Sequence, residues 1–246
     1  MHPPLISIVT VTKNCGGTLA RTLRSLKSIK ATDIEYIIVD GVSTDDTLSV
    51  IEQFPGLVDQ LISEPDTGIY NAMNKGLALT KGDYVLFING DDELMPNGFA
   101  HVKSVLRNGN IDVLCATTLV DSVESPAEIL IPQPWRLLFY NAIPHPSAFV
   151  ASALLKKYRF REDLRIASDY DLFLRLFMDR RRFVKLDVAT ALHRRGGASG
   201  NISLSELEVD RVKRERLRWF YPLVATAKSL HRWLKIILMV ISNGKR

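Results

Sequence analysis

The most constraining feature of this sequence is the alternation of short apolar segments with segments of helical spacing. The apolar segments are rich in β-branched and aromatic residues and cover residues 5–12, 35–40, 58–63 and 84–88. Between them, leucines recur at helical intervals, as at Leu19, Leu23 and Leu26. Nearly continuous apolar strands are typical of parallel sheets that are buried on both faces. The β-α-β-α-β-α-β order therefore predicts an α/β fold, a mostly parallel sheet flanked by helices.

The second half of the sequence is less regular. Strands are predicted at residues 111–118, 128–131 and 183–192, and helices at residues 135–140, 167–180 and 205–220. A loop at His145 leads into a further strand that reaches Val150. With 246 residues, 46% of them hydrophobic, the chain is long enough for one large domain or for one domain with an appendage.

Cysteine usage and the start of the sequence indicate a reducing compartment. The two cysteines, Cys15 and Cys115, show neither a disulfide framework nor metal-ligand spacing. Residues 1–4 lack the charged segment followed by an apolar run that begins a signal peptide. We therefore expect a cytoplasmic protein.

The net charge of +5 is concentrated in the last part of the sequence, from Arg194 onward. Residues 223–241 contain too many charges for a spanning helix. On a helical wheel Lys228, His231, Arg232 and Lys235 share one face, opposite an apolar face. This amphipathic pattern predicts a helix on a membrane surface; a helix packed against the protein's own core or against a second copy is the alternative. No nucleic-acid-binding motif is present.

An acidic cluster follows the strand at residues 84–88. After the turn pair Asn89-Gly90, the sequence places Asp91, Asp92 and Glu93 side by side. Adjacent carboxylates repel one another, and hard divalent ions such as Mg²⁺ or Mn²⁺ bind through oxygen ligands of this kind. The cluster predicts a metal site at the carboxyl end of a strand, where ligands bind open α/β sheets. A solvated acidic turn before the next helix is the alternative.

Thr12 and Asp40 end the first and second predicted strands, so we expect them at the same sheet edge as the acidic cluster. A dinucleotide-binding Rossmann fold would also place an acid at Asp40. However, the loop after the first strand reads TKNCGG and lacks the glycine-rich G-x-G-x-x-G pattern, and no Walker A sequence is present. These two classes of nucleotide site are therefore disfavoured.

Several motifs in order resemble those of the family 2 glycosyltransferases, whose fold is called GT-A. They are LISIVTVTKN, IIVDGVSTD, SEPDTGIYNAMNKG, FINGDD, HPSAF, IASDYDL and GGAS, over about residues 5–200. The nearest resemblance is to bacterial enzymes that make colanic acid and other exopolysaccharides. It implies a UDP- or GDP-linked sugar donor, a divalent metal (Mn²⁺ or Mg²⁺), and inversion at the anomeric carbon. Asn89 and Ser168 depart from the family pattern, which often has Asp and Glu there.

The resemblance also implies roles for individual residues. Asp91 and Asp92 match the motif that binds metal and diphosphate, with Asp92 as the more direct ligand. Donor-binding residues are expected to be Thr10, Thr12, Asp40, Asp66, Lys75 and Asp91. Lys75 has a second interpretation as an exposed charge on a helix.

Asp169 matches the catalytic base of that family. The reaction itself requires such a group, whether or not the resemblance holds. When an acceptor hydroxyl displaces a nucleoside diphosphate from a sugar, a carboxylate is needed to take the proton of that hydroxyl. At the start of a helix, Asp169 has a second interpretation as a partner of the helix dipole. Asp171 is a weaker candidate for the base, and His145 and His193 are candidate metal or acceptor contacts or structural hydrogen-bonding residues.

We therefore predict a GT-A domain over residues 1–203, with a nucleotide-binding half (1–100) and an acceptor half (101–203), and a basic helical tail over residues 204–246. The predicted activity is metal-dependent sugar transfer to a saccharide acceptor, lipid-linked because of the tail, at the inner face of the cytoplasmic membrane. Two alternatives are a sugar nucleotidyltransferase and a non-catalytic relative that binds nucleotide sugars.

Overall fold

The computed structural model describes residues 3–121, 128–194 and 202–226. The first half contains the elements β1 (Ile6–Thr12), α1 (Gly16–Ile29), β2 (Ile34–Asp40), α2 (Thr47–Glu52), β3 (Gln60–Ser63), α3 (Ile69–Leu79), β4 (Tyr84–Asn89), β5 (Glu93–Leu94) and α4 (Pro96–Leu106). The second half contains β6 (Val113–Asp121), β7 (Glu128–Leu130), β8 (Ala148–Ala151), α5 (Ser152–Tyr158), α6 (Ser168–Met178), β9 (Phe183–Arg194) and α7 (Ile202–Leu217). Short 3₁₀ turns occupy Pro134–Leu138, His145–Ser147 and Arg218–Phe220.

Within the described residues, the nine strands form one sheet in the order β3-β2-β1-β4-β8-β6-β9-β5, with β7 beside β6. The block β3-β2-β1-β4 is parallel, as the alternation of strands and helices predicts. Beyond it, β8 is antiparallel to both β4 and β6, whereas β6 and β9 are parallel. The α/β fold with a mostly parallel sheet and flanking helices is confirmed.

The registers of the parallel block bring the predicted strand ends together. Thr12 lies opposite Asp40 across the β1–β2 pair, and Val11 lies opposite Asn89 across the β1–β4 pair. The loops after these strands therefore leave from one edge of the sheet, as expected from parallel pairing. The edge is extended by β9, whose Leu192 pairs with Glu93 of the short antiparallel strand β5.

Apolar side chains fill both faces of the sheet and give a three-layer structure. One face is covered by α1, α2 and α4, and the other by α3, α5, α6 and α7. In α7, Val212 is fully buried and Leu217 is 4% exposed, and both belong to the core. The first part of the segment predicted as a tail thus packs on the domain.

Two predicted features lie outside the described residues: the loop at 196–199 and the helix face beyond residue 226. The described part of the chain contains no helix that is long and apolar enough to cross a membrane. Shortly before residue 226, Trp219, Phe220 and Leu223 expose 91%, 68% and 68% of their surface.

Candidate active site

A cavity of about 900 Å³ opens at the carboxyl edge of the sheet. Its walls come from the ends of β1 and β4, the loop before α3, the 3₁₀ turn at His145, the first turn of α6, and β9. Of the site residues predicted from the sequence, those that line the cavity are Thr12, Asp66, Asp91, His145, Asp169 and His193. The sheet and the first turn of α6 therefore bring residues from both halves of the sequence to one cavity.

The acidic pair after β4 is divided between the cavity and the interior. Asp91 lines the cavity, whereas the side chain of Asp92 is fully buried. Asp92 Oδ1 lies 2.6 Å from His193 Nδ1, and its Oδ2 accepts a hydrogen bond from the backbone N–H of Asn89 (3.3 Å). The pairing of β5 with β9 holds His193 in this position.

Burial and then the negative charge of Asp92 raise the pKa of Asp91. A bound cation would oppose both effects, since it favours the ionised carboxylate. Among residues 3–121, 128–194 and 202–226, no three His, Cys, Asp or Glu side chains converge as a complete metal cage. Mg²⁺ and Mn²⁺ do not need one, because one or two carboxylates, phosphate oxygens and water suffice. Asp91, which faces the cavity, fits such an ion, whereas the oxygens of Asp92 already contact His193 and the Asn89 N–H.

Asp169 faces the cavity from the first turn of α6. Its Oδ2 accepts a hydrogen bond from the side-chain amide of Asn141 (3.0 Å) and lies 3.9 Å from His145 Nδ1. Its Oδ1 accepts from the backbone N–H of Tyr170 (2.7 Å) and lies 3.3 Å from the Tyr70 hydroxyl. The carboxylate is thus oriented by contacts on both oxygens.

Sequence reasoning missed Tyr70 and Asn141. Tyr70 lies within the GIYN part of a motif quoted above, which is a usable signal, whereas nothing in the sequence distinguishes Asn141. Burial and then the charge of Asp169 raise the pKa of Tyr70 well above its ordinary value. The Tyr70 hydroxyl therefore stays protonated and donates a hydrogen bond.

His145 lies beside Asp169 with one ring nitrogen unsatisfied. Its Nε2 is buried and has no hydrogen-bond partner among the described residues. Since buried polar atoms are normally paired, this nitrogen is suited to contact a bound molecule.

Asp40 lies behind the cavity wall, where its carboxylate is fully buried. It accepts hydrogen bonds from the Thr12 hydroxyl (3.1 Å), from the backbone N–H and hydroxyl of Ser43 (2.9 and 2.5 Å) and from the Ser63 hydroxyl (2.8 Å). Burial acts to raise the pKa of Asp40, but these hydrogen bonds outweigh it and the pKa is lowered. Asp40 thus joins β1, β2 and β3 and carries no open lone pair toward the cavity.

Two predicted donor contacts lie away from the cavity. The Thr10 hydroxyl is buried in the sheet and accepts a hydrogen bond from the Tyr36 hydroxyl (3.1 Å). Lys75 donates to the carbonyl of Pro65 (2.6 Å) and forms an ion pair with Glu64 (2.8 Å). Neither residue lines the cavity, because Thr10 precedes the strand end and Lys75 turns toward the loop after β3.

Asp66, by contrast, lines the cavity as predicted from the motif. Its Oδ1 accepts a hydrogen bond from the backbone N–H of Gly68 (2.9 Å). Its Oδ2 packs so closely on Gly41 that a Cβ atom there would lie 2.1 Å from this oxygen. The absence of a side chain at Gly41 therefore leaves the space that Asp66 occupies.

Asp171 is not placed to act on a substrate. Its side chain is fully buried and accepts hydrogen bonds from Arg175 Nε (2.8 Å) and Arg216 Nε (2.7 Å), with Arg161 at 3.6 Å. It does not line the cavity. Two residues along α6 from Asp169, the side chain of Asp171 turns into an arginine cluster, so the structure does not bring this second candidate base to the cavity.

Comparisons with known proteins agree with this architecture. The family described as "Glycosyl transferase family 2" matches residues 7–168. A "PGL/p-HBAD biosynthesis glycosyltransferase" of Mycobacterium tuberculosis is 31% identical over 192 residues, covering 72% of this chain and 71% of that relative. An uncharacterized glycosyltransferase of the same organism is 29% identical over 180 residues, covering 70% and 68%.

Solved structures share the fold at lower identity. A mannosyltransferase from Pyrobaculum calidifontis in complex with GDP-Man and Mn²⁺ has a TM-score of 0.70 at 16% identity, covering 94% of this chain and 71% of that one. TarS from S. aureus in complex with UDP-GlcNAc has a TM-score of 0.66 at 18% identity, covering 88% and 72%. At these identities the likeness extends to the fold alone.

Proposed function

The chain belongs to the family 2 glycosyltransferases, and from this premise we propose that it transfers a sugar from a UDP- or GDP-linked donor to a saccharide acceptor, with inversion at the anomeric carbon. One observation carries the proposal: the carboxylates of Asp91 and Asp169 line the same cavity. Sugar transfer requires a centre for the diphosphate and a base for the acceptor, and these residues supply both.

The family motif implies Asp92 as the more direct metal ligand, but its side chain is fully buried and its Oδ1 lies 2.6 Å from His193 Nδ1. For the donor side, we therefore propose that Asp91, which lines the cavity, holds a divalent ion. Such an ion neutralises the charge that develops on a diphosphate leaving group. Thr12 and Asp66 line the cavity and are proposed donor contacts, and Asp40 accepts a hydrogen bond from Thr12 behind the cavity wall. The bound ligands named for the two solved relatives support a nucleotide sugar and Mn²⁺ as first probes.

For the acceptor side, we propose that Asp169 accepts the proton of the attacking hydroxyl. Asn141 and the N–H of Tyr170 hold its carboxylate in place, and the Tyr70 hydroxyl lies 3.3 Å from it. Attack from the side opposite to the diphosphate gives inversion. His145, with its unpaired Nε2, is a proposed acceptor contact.

The decisive experiment measures turnover of UDP-GlcNAc and GDP-Man with and without Mn²⁺ in the wild type, in Asp169→Asn and in Asp187→Asn. Asp187 is a matched control because its side chain is 78% exposed on β9. Loss of a general base lowers kcat by about 10²–10⁴-fold. We expect that loss in Asp169→Asn only, with the Kd for UDP or GDP unchanged.

Full activity of Asp169→Asn would contradict the proposed base. A wild type that binds nucleotide but turns over no donor, with water or with saccharide acceptors, would support the non-catalytic alternative. The sugar nucleotidyltransferase alternative is set aside, because the family match is to glycosyltransferases.

We further propose a lipid-linked acceptor and a role in cell-surface polysaccharide synthesis at the inner face of the cytoplasmic membrane. The support is the basic sequence after Arg194 and the exposed side chains of Trp219 and Phe220, which suit a membrane interface. Deletion of residues 221–246 should abolish sedimentation with vesicles that contain anionic lipid. Unchanged sedimentation of the deletion variant would refute this part of the proposal.

A further inference from the structure

A buried glutamate on α7 binds the backbone just before the proposed catalytic base. Glu208 is 8% exposed. Its Oε1 accepts a hydrogen bond from the N–H of Arg165 (2.8 Å), and its Oε2 accepts from the N–H groups of Ile166 (2.8 Å) and Ala167 (3.0 Å). Three successive amides of one loop thus converge on a single carboxylate from a helix that follows about 40 residues later.

The local chemistry explains why a carboxylate occupies this place. The loop of residues 165–167 leads directly into α6, and amides at the beginning of a helix lack partners within the helix. No side chain caps α6 at Ala167. A negative charge is favoured at this end of a helix, and its burial is offset by the three hydrogen bonds. Glu208 therefore fixes the path by which the chain enters α6.

The same loop determines where Asp169 points. The Tyr70 hydroxyl donates to the carbonyl of Ile166 (2.5 Å) and lies 3.3 Å from Asp169 Oδ1. The amides of the loop thus bind Glu208 on α7, while a carbonyl of the same loop binds Tyr70 on α3. A shift of the loop would move Asp169, two residues after Ala167, relative to both Tyr70 and Asn141.

We propose that Glu208 is a positioning residue for the catalytic base: α7 holds the 165–167 loop so that Asp169 faces the acceptor hydroxyl. The inference rests on the proposed function. Glu208 does not line the cavity, so α7 would act on catalysis only through the position of Asp169.

The experiment compares the full-length wild type with Glu208→Gln, Glu208→Ala and the control Glu206→Gln, which changes an exposed glutamate on the same helix. Glutamine keeps one acceptor oxygen, so it preserves part of the contact, whereas alanine removes it. Misplacement of a reacting group by about 1 Å costs on the order of 10²-fold in rate. We expect kcat to fall roughly 10-fold in Glu208→Gln and roughly 100-fold in Glu208→Ala.

Two further readouts separate positioning from general destabilisation. The Kd for UDP or GDP with Mn²⁺ should stay within about twofold of the wild type, because the donor residues lie on other elements. Amide hydrogen exchange at residues 165–167 should accelerate in both Glu208 variants and not in Glu206→Gln. The kcat of Glu208→Gln should exceed that of Glu208→Ala, because glutamine keeps one of the two acceptor oxygens.

A wild type that turns over no nucleotide sugar would refute the proposed function. An active wild type with Glu208→Ala as fast as Glu206→Gln would refute the positioning role alone. Unchanged exchange at residues 165–167, or a parallel loss of nucleotide affinity and kcat, would also overturn it.

Discussion

Replacement of Asp171 by asparagine should lower the stability of the protein and reduce its catalytic rate far less than replacement of Asp169 does. Asp171 is fully buried and contacts three arginines, two through hydrogen bonds of 2.7 and 2.8 Å and one at 3.6 Å. The variant keeps the shape of the side chain and removes its charge. Three guanidinium groups then share a site without their carboxylate.

The magnitude follows from the burial of the partners. Removal of one member of a buried ion pair costs about 3–5 kcal/mol. Here the arginines are less enclosed than the carboxylate, since Arg175 and Arg216 keep 17% and 33% of their side chains exposed, so water recovers part of the loss. Asparagine also retains one acceptor oxygen. We expect the free energy of unfolding to fall by about 2–3 kcal/mol, which lowers Tm by about 5–10 °C in a protein of this size.

The assay is urea unfolding of the wild type, Asp171→Asn and Asp187→Asn, followed by circular dichroism, with kcat measured on the same samples below the transition. Exposed substitutions change stability by about 0.5 kcal/mol or less, so Asp187→Asn sets the baseline. We expect kcat of folded Asp171→Asn to fall less than about tenfold, in contrast to the loss of about 10²-fold or more in Asp169→Asn.

The reasoning fails if Asp171→Asn is as stable as Asp187→Asn, because the arginine cluster would then not depend on the carboxylate. It also fails if Asp171→Asn is stable but as inactive as Asp169→Asn. That result would indicate that Asp171 takes part in the reaction after all.

Two further predictions concern Gly41 and Asp163. Gly41→Ala should push Asp66 from its place, since the new Cβ would lie 2.1 Å from Asp66 Oδ2. Calorimetry should then show UDP or GDP binding weakened at least roughly tenfold, whereas the control Asp187→Asn, which changes an exposed side chain of β9, should bind normally. Hydrogen bonds from Arg161 lower the pKa of Asp163 to about 2 from its ordinary 3.8. A lowered pKa stabilises the folded state above the ordinary value, so the stability difference between the wild type and Asp163→Asn should shrink as the pH falls from about 4 to about 2. A difference that is constant over this range would contradict the assignment.

In the parallel half of the fold, β1, β2 and β4 were predictable because these strands are buried on both faces. Such strands are marked by continuous apolar sequence, and the predicted β1 and β4 agree with the structure to within one residue at each end. The short strand β5 and the antiparallel insertion of β8 between β4 and β6 were not predictable in the same way. Their positions depend on pairing with distant strands, which local periodicity does not encode.

In the site, the motifs indicated which residues come together, and burial decided which of them reach the cavity. Asp66, Asp91 and Asp169 line it, whereas Asp40 uses all of its acceptor capacity inside the sheet edge. Glu208 carries no sequence signal, because a glutamate that binds backbone amides looks like any other glutamate on a helix.

The pairing of β5 with β9 has a consequence for the order in which the protein is assembled. Glu93 pairs with β9, which is synthesised almost a hundred residues later. Asp92 contacts His193, which lies on the same strand. The sheet block β3-β2-β1-β4 is complete once β4 has been synthesised, but the acidic pair gains its final partners only when β9 emerges. Distant pairing of this kind is slow to form. A partly synthesised protein can therefore contain the four parallel strands before the acidic pair has reached its final arrangement.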